Sequence, residues 1–430
     1  MAAGERLVVT YAGRDERSNT RLPPSVPIGE LLDVVDATAR PLGDGARARD
    51  HVVVEHPLQP FDPRNFTAGP TSGRPGPWGF DRAALAGARA LTGGAPPRRS
   101  FLERPLDPQD ADLVSIELLE RFVKHPVEAF LTERLNVRPR AEEATDAEGI
   151  PIDVDHLAQW QIGTRLIEAR LRGEDPEATR AVELARGDLP PGRLGTATLD
   201  RLAGFADRVV DAAGRLGAAG ERRSLTVDVA LGDGRTLVGT IPGIGDDLIW
   251  RTTFSRLRPR DRLVAWVHLL AVTAAAPQRP WRSVLEGQRR RSGAGTSASL
   301  IGPLGAGPDA RRAVAVAELR VLVDLLDRGM REPLPIYTAT SAAYAEATAR
   351  RRVAEAEKAW ASGFRHTGED CDPAHVLVLG EVAPPGRLWE EPPRPDEAGP
   401  GWDERERSRF GRLSRRLWSG VSANETVENR

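Results

Sequence analysis

A chain of 430 residues, 40% of them hydrophobic, has room for about two or three domains with real cores, which excludes wholesale disorder. The net charge of −2 leaves no global attraction to nucleic acid, so any such contact must be local. The single cysteine, Cys371, excludes an intrachain disulfide framework and a CxxC zinc site. With no apolar run of roughly 18 residues and no signal-peptide core, a cytoplasmic protein without a membrane partner is expected. Only Lys124 and Lys358 among the 60 basic residues are lysine. That bias weakens any argument from an arginine cluster alone.

In chain order, Leu7–Val9 read as a buried strand ending at Tyr11-Ala12-Gly13-Arg14. Ile28, Leu31, Leu32 and Val35 are spaced for one face of a helix over 25–39. Residues 51–66, HVVVEHPLQPFDPRNF, give a short strand and a proline-punctuated loop. His56 and Asp62 there suit a structural loop better than catalysis, because no nucleophile or second acid accompanies them. Residues 67–100 hold Gly, Pro, Ser and Arg without periodicity, the composition of a linker.

Ser115 is a candidate N-cap for a helix with Ile116, Leu119, Phe122 and Val123 on its apolar face. Pro126 restarts that helix, and His125 before it suits capping or packing. A further helix, DHLAQWQIGTRLIEARL, contains Leu157, Trp160, Gln161, Thr164, Leu166 and Ile167. Three strands follow, at 224–231, 236–241 and 248–254. The first alternates Leu225, Val227, Val229 and Leu231 with polar residues, and Gly232-Asp233-Gly234 make its turn. After Pro259, Leu263, Trp266, Val267 and Leu270 recur at helical spacing.

Residues 287–302 read as a mobile Gly/Ser loop carrying Arg289, Arg290 and Arg291, candidates for phosphate contacts. An amphipathic helix over 310–330 uses Val314, Ala317, Val321 and Leu325. An extended segment, EPLPIYTATSAAYAEA, precedes a polar helix to Trp360, and residues 383–401 read as a linker. Phe410, Leu413 and Leu417 form a final helix, a candidate docking element.

The strand, strand, strand, helix layout resembles the core of the PD-(D/E)XK nucleases. HPLQPFDPRNF, FVKHPVEAFLTERLNV and GDLPPGRLG are similar to segments of the RecC family, the gamma subunits of exodeoxyribonuclease V. The stretch ending at Arg14 resembles the last motif of superfamily 1 helicases, in which an arginine reaches the ATP γ-phosphate. The resemblance implies an α/β fold, a degenerate nuclease-like domain preceded by a remnant of a helicase-like domain. Its boundaries would be 1–70 for the helicase-like piece, 71–112 for a linker, 113–381 for the nuclease-like domain, and 382–430 for a linker and C-terminal helix. The match is to the C-terminal part of the family, so a fragment or a separately encoded piece is expected.

Active nucleases place G-x-x-D on the second strand and D-x-K on the third, where the acids hold Mg²⁺. Here Pro242 stands where the aspartate belongs, and Trp250, Arg251 and Thr252 occupy the third-strand positions. Gly163 and Thr164 stand where active relatives carry a metal-binding histidine. The resemblance therefore implies a chain without catalytic residues, metal or cofactor of its own. Mg²⁺ and ATP would be used by its partners, the alpha and beta subunits of the complex. It would guide double-stranded DNA ends and emerging single strands, with Trp250 and Arg251 stacking on a base or pairing with a phosphate. No phosphate loop of the G-x-x-x-x-G-K-[ST] type exists, so ATP binding by this chain alone is not expected. Two alternatives stay open: an active Mg²⁺ nuclease using Asp228, Asp246 and Asp247, and a protein-interaction scaffold that touches no DNA.

Overall fold

The computed structural model describes residues 7–15, 20–40, 47–67, 77–93, 100–109, 111–139, 154–217, 222–289, 295–363 and 367–429. The chain divides into two compact units, residues 1–99 and 100–430.

In the first unit, helix α1 (Val26–Thr38) follows Ser25 with proline in its first turn, where a missing N–H costs nothing. Its expected face, Ile28, Leu31, Leu32 and Val35, is half-buried. A short helix, α2 (Arg49–Val52), is tied to α1 by Arg49, which donates to Asp33 and Asp36 at 2.5 Å each. The string HPLQPFDPRNF is a structural loop. Asp62 caps the 3₁₀ turn Pro63–Asn65 by accepting the Arg64 N–H and its guanidinium, which holds its carboxyl down to about 2. Asn65 is buried and donates to the Gln59 and Pro60 carbonyls, and His56 packs on the Trp78 ring at 4.2 Å.

Three expectations fail in this unit. Leu7, Val8 and Val9 are 47%, 75% and 45% exposed and belong to no strand. A strand needs a hydrogen-bonded neighbour, and the pairing described here is the isolated Arg14–Arg21 bridge. Val52–Val54 likewise finish α2 and run on without pairing. The expected linker contains helix α3 (Arg82–Thr92), capped by Asp81 through the Ala83 and Ala84 N–H groups.

The second unit opens on strand β1 (Leu113–Ser115), which runs into α4 (Ile116–Lys124). Ser115 caps α4 through the Leu118 N–H, and Ile116, Leu119, Phe122 and Val123 are fully buried. His125 is the N-cap of α5 (Pro126–Ala129): its Nδ1 accepts the Glu128 N–H. Helices α6 (His156–Leu171), α7 (Pro176–Ala185) and α8 (Arg193–Arg215) follow. On α6 the buried stripe is Ile162, Gly163, Leu166 and Ile167, while Leu157 and Trp160 are exposed. α6 packs on both α8 and a sheet strand, against Phe205 and Phe254.

The three expected strands form as β2 (Arg223–Ala230), β3 (Thr236–Ile244) and β4 (Leu248–Arg256). Gly232 and Gly234, with φ of +81° and +93°, close the β2–β3 hairpin with angles that disfavour other residues. Helix α9 (Pro259–Ala275) then crosses to β5 (Arg282–Gln288), which lies parallel to β4. Leu263, Trp266, Val267 and Leu270 are fully buried, but so are Val264, Leu269 and Val272. α9 is thus a central helix, apolar on every side. Its buried imidazole, His268, lies 2.6 Å from Glu120 of α4.

Strand β6 (Thr296–Ile301) pairs antiparallel with β5, so the described ends of the expected loop over 287–302 are strand, while 290–294 lie outside the described residues. Helices α10 (Pro308–Gly329), α11 (Thr338–Glu346), α12 (Arg352–Trp360), α13 (Pro373–Leu379) and α14 (Arg409–Asn424) lead to β7 (Glu425–Asn429). On α10 the buried set is Leu319, Leu322, Val323, Leu325 and Leu326; Val314 is exposed. Residues 338–346, expected extended, are α11. The expected linker over 383–401 is anchored by buried Leu388 and by Glu397, which accepts from Arg409 Nε at 2.7 Å. Phe410, Leu413 and Leu417 are buried in the unit's own cores, so that face of α14 is not free for docking.

The result is an α/β unit with a seven-stranded mixed sheet. Its path runs β1-β3-β4-β5-β6-β7, with β2 paired to β3. Among the described residues no helix is long and apolar enough to cross a membrane.

Candidate functional site

The candidate site lies where β3 and β4 separate. The two strands pair at Ile244 and Ile249, on either side of the turn at 245–247, and thereafter each joins a different neighbour. β3 pairs with β1 and β2, while β4 pairs with β5. Among the described residues β3 and β4 are joined at that one register position.

Pro242 is exposed on β3 and offers neither an N–H nor a charge. Trp250 is 4% exposed, packed with Ala213, Leu248 and Val284, and the Arg222 guanidinium lies 4.5 Å over its ring. Base stacking on Trp250 is thereby corrected: its apolar body fills a small core and a cation covers its face. Arg251 and Thr252 are half-buried. At the position expected for a histidine, Gly163 meets β4 so closely that an added Cβ would sit 2.1 Å from Phe254 Cδ2. The aromatic ring leaves no room there for any side chain.

The acids of the alternative reading do not gather here. Asp228 is exposed on β2, Asp246 pairs with Arg223 at 3.7 Å, and Asp247 pairs with Arg282 at 3.4 Å. Among the described residues these three do not form a group of converging ligands. A carboxylate that the strand reading missed is Glu286, fully buried on β5 opposite Thr252. Its signal was a lone acid inside the apolar run SVLEG.

Cations are what this end of the sheet presents. Arg256, Arg258 and Arg260 are exposed in sequence order from the end of β4 into α9. The register sets Arg256 opposite Gln288, next to exposed Arg289. Neither Arg251 nor Arg256, Arg258 or Arg260 has an acidic partner among the described residues. About half of the other described arginines in the unit do, for example Arg165 with Glu183 and Arg235 with Asp327. Such unneutralised guanidinium groups are suited to anions. Arg290 and Arg291 lie outside the described residues. In the first unit, Arg14 is engaged: its Nε and Nη2 donate to Glu55 at 3.1 and 3.0 Å, beside Arg21. Its guanidinium is held by a carboxylate rather than extended towards a nucleotide.

Among the described residues, this α/β fold gathers no group of converging ligands for a hard divalent cation at the β3–β4 seam. A family model described as the RecC C-terminal domain matches residues 111–349. The chain belongs to the RecC family. It is 37% identical to the RecBCD enzyme subunit RecC of Mycobacterium tuberculosis over 430 residues, covering 99% of this chain and 37% of that protein. It is 38% identical to the same subunit of Mycolicibacterium smegmatis, covering 97% and 36%. To the Escherichia coli subunit it is 28% identical over 287 residues, covering 64% and 24%. The chain thus spans little more than a third of the length of its mycobacterial relatives.

Proposed function

We propose that this chain acts as the non-cleaving, DNA-guiding part of a RecC-type subunit in a RecBCD helicase–nuclease that processes double-strand breaks for recombination. The observation that carries the reading is the loss of every metal-ligand position from an otherwise intact strand, strand, strand, helix, strand core. Gly163, Pro242, Trp250, Arg251 and Thr252 stand where the ligands and lysine of an active PD-(D/E)XK site would be. The meander β2–β3–β4, the crossover helix α9 and the parallel strand β5 support a degenerate nuclease-like origin for the second unit. Residues 1–70 take the place of the helicase-like remnant.

On this reading Arg251, Arg256, Arg258, Arg260 and Arg289 pair with backbone phosphates of DNA ends and emerging single strands. The alpha and beta subunits supply ATP and Mg²⁺ chemistry, and the assembly works in the cytoplasm. The purified chain, incubated with linear and forked DNA in Mg²⁺ and in Mn²⁺, is expected to bind without cutting. Its affinity falls steeply with salt, and Arg251→Ala combined with Arg256→Ala flattens that dependence by about two phosphate contacts. Cleavage that disappears in Asp246→Ala or Asp247→Ala would overturn the proposal in favour of an active nuclease. No DNA binding at low salt, with co-purification of the alpha and beta subunits intact, would leave a pure scaffold.

A further inference from the structure

Away from the strand gap, a second constellation sits where the α4–α5 junction meets the start of α13. One ligand atom from each of His125, Asp372 and His375 lies within 4.8 Å of the other two. His125 and Asp372 are in direct contact, with Nε2 to Oδ2 at 3.0 Å. The rings of His125 and His375 have centroids 4.7 Å apart. His375 is 1% exposed. Its Nδ1 is 2.7 Å from the Glu369 carbonyl, so that nitrogen carries the proton and donates it. The remaining nitrogen, Nε2, is a lone pair buried without a hydrogen-bond partner. A buried acceptor with nothing to accept is costly, and one with its other nitrogen pinned to a carbonyl has the orientation of a metal-binding imidazole.

We propose that His125, Asp372 and His375 form a binding site for a divalent transition-metal ion of the zinc class. Two imidazole nitrogens and one carboxylate oxygen are the donor set that Zn²⁺ takes, with water completing a tetrahedron. Mg²⁺ and Ca²⁺, which select oxygen, are disfavoured. The nearby acids do not compete. Glu369 accepts from the Ala339 and Thr340 N–H groups, and Asp370 is held by Ser362. Tyr337 and Trp360 pack against His375, with ring centroids at 4.7 and 5.9 Å, and fix its ring, while His125 and Asp372 keep partial access to water.

The proton balance is simple. Without metal, His125 Nδ1 accepts from Glu128, so Nε2 carries the proton shared with Asp372. On binding, Nε2 releases that proton and coordinates, Nδ1 takes one up, and the cap contact to Glu128 opens. Asp372 Oδ1 keeps capping α13 through the Ala374 and His375 N–H groups, leaving Oδ2 for the ion. The ion would join the first helices of the unit to a segment near the other end of its sequence.

The test uses the full chain without a histidine tag, stripped with a chelator and titrated with Zn²⁺ and with Co²⁺. One ion binds per chain, the melting temperature rises with Zn²⁺ concentration, and Co²⁺ gives the visible bands of a tetrahedral N/O site. His375→Ala weakens Zn²⁺ at least about 10-fold. Asp372→Asn does the same while keeping the helix cap, so it separates lost ligation from lost folding. Cys371→Ser binds as the parent does. Absence of stoichiometric binding to the parent chain overturns the proposal, as does undiminished binding in Asp372→Asn or loss of binding in Cys371→Ser.

Discussion

The two units use their apolar side chains in opposite ways. In residues 100–430, Trp266, Trp360 and Trp418 are fully buried, and α9 threads one continuous core. In residues 1–99, Val8, Val34, Trp78 and Phe80 are exposed, and α1 has no fully buried residue. Order in the first unit rests on local devices instead. Asp62 and Asp81 cap short helices, Arg49 holds Asp33 and Asp36, and Glu55 holds Arg14 and Arg21. Exposed ion pairs of that sort are each worth at most ~1 kcal/mol, so packing stabilises one unit and chain geometry the other.

The sharpest way to break this contrast is Trp266→Ala. Removing a fully buried indole from the central helix is expected to cost about 3–5 kcal/mol, read by denaturant unfolding. A loss within ~1 kcal/mol would mean the core is far less consolidated than its burial implies. Next in size is Gly163→Ala, whose methyl group would meet Phe254; a destabilisation of roughly 1–3 kcal/mol is expected, reduced when Phe254→Leu makes room.

A smaller effect comes from pH. Burial alone would raise the Glu120 carboxyl, but its hydrogen bond and charge contact with His268, aided by Lys124, hold it down to about 2. A depressed carboxylate stabilises the fold above its unfolded value of 4.5 and loses that contribution as pH falls towards 2. Thermal midpoints of the parent and of Glu120→Gln should therefore differ at neutral pH and converge on acidification. An unchanged gap at acid pH would remove Glu120 from the account. Smallest of all is Val8→Ser, expected to change stability by less than about 0.5 kcal/mol. Amide exchange supplies the matching dynamic readout, with α1 and α3 exchanging ahead of α4 and α9.

Legibility in the sequence cut across that division. Strands β2 to β4 and helix α4 were readable because alternation or a cap marked them and the core used the face they displayed. Leu7–Val9 carried the residues of a strand but found no neighbour, a fact no local pattern contains. Thr296–Ile301 failed the other way: Thr, Ser and Ala suggest a loop, and only pairing with β5 and β7 makes them a strand. On α10 the helix was legible but its buried stripe was not, since neighbouring elements choose the stripe. At the candidate site the missing acids could be read directly, whereas the burial of Trp250 under Arg222 could not. The His125 constellation left half a signal, Asp372 and His375 three apart at a helix start. Its other half lies far off in sequence.

β7 carries a consequence for biosynthesis. It covers the outer edge of β6, and Glu425 at its start accepts from Arg262 on α9 and from Ser299 at 2.5 Å. Until those residues leave the ribosome, β6 is a bare edge and the hydrophobic seat of α14 stands open. At about 5–20 residues per second, that interval lasts on the order of ten seconds. During it the nascent chain exposes both an unpaired strand and a greasy cleft, the two features that chaperones recognise and that neighbouring polysomes can cross-pair.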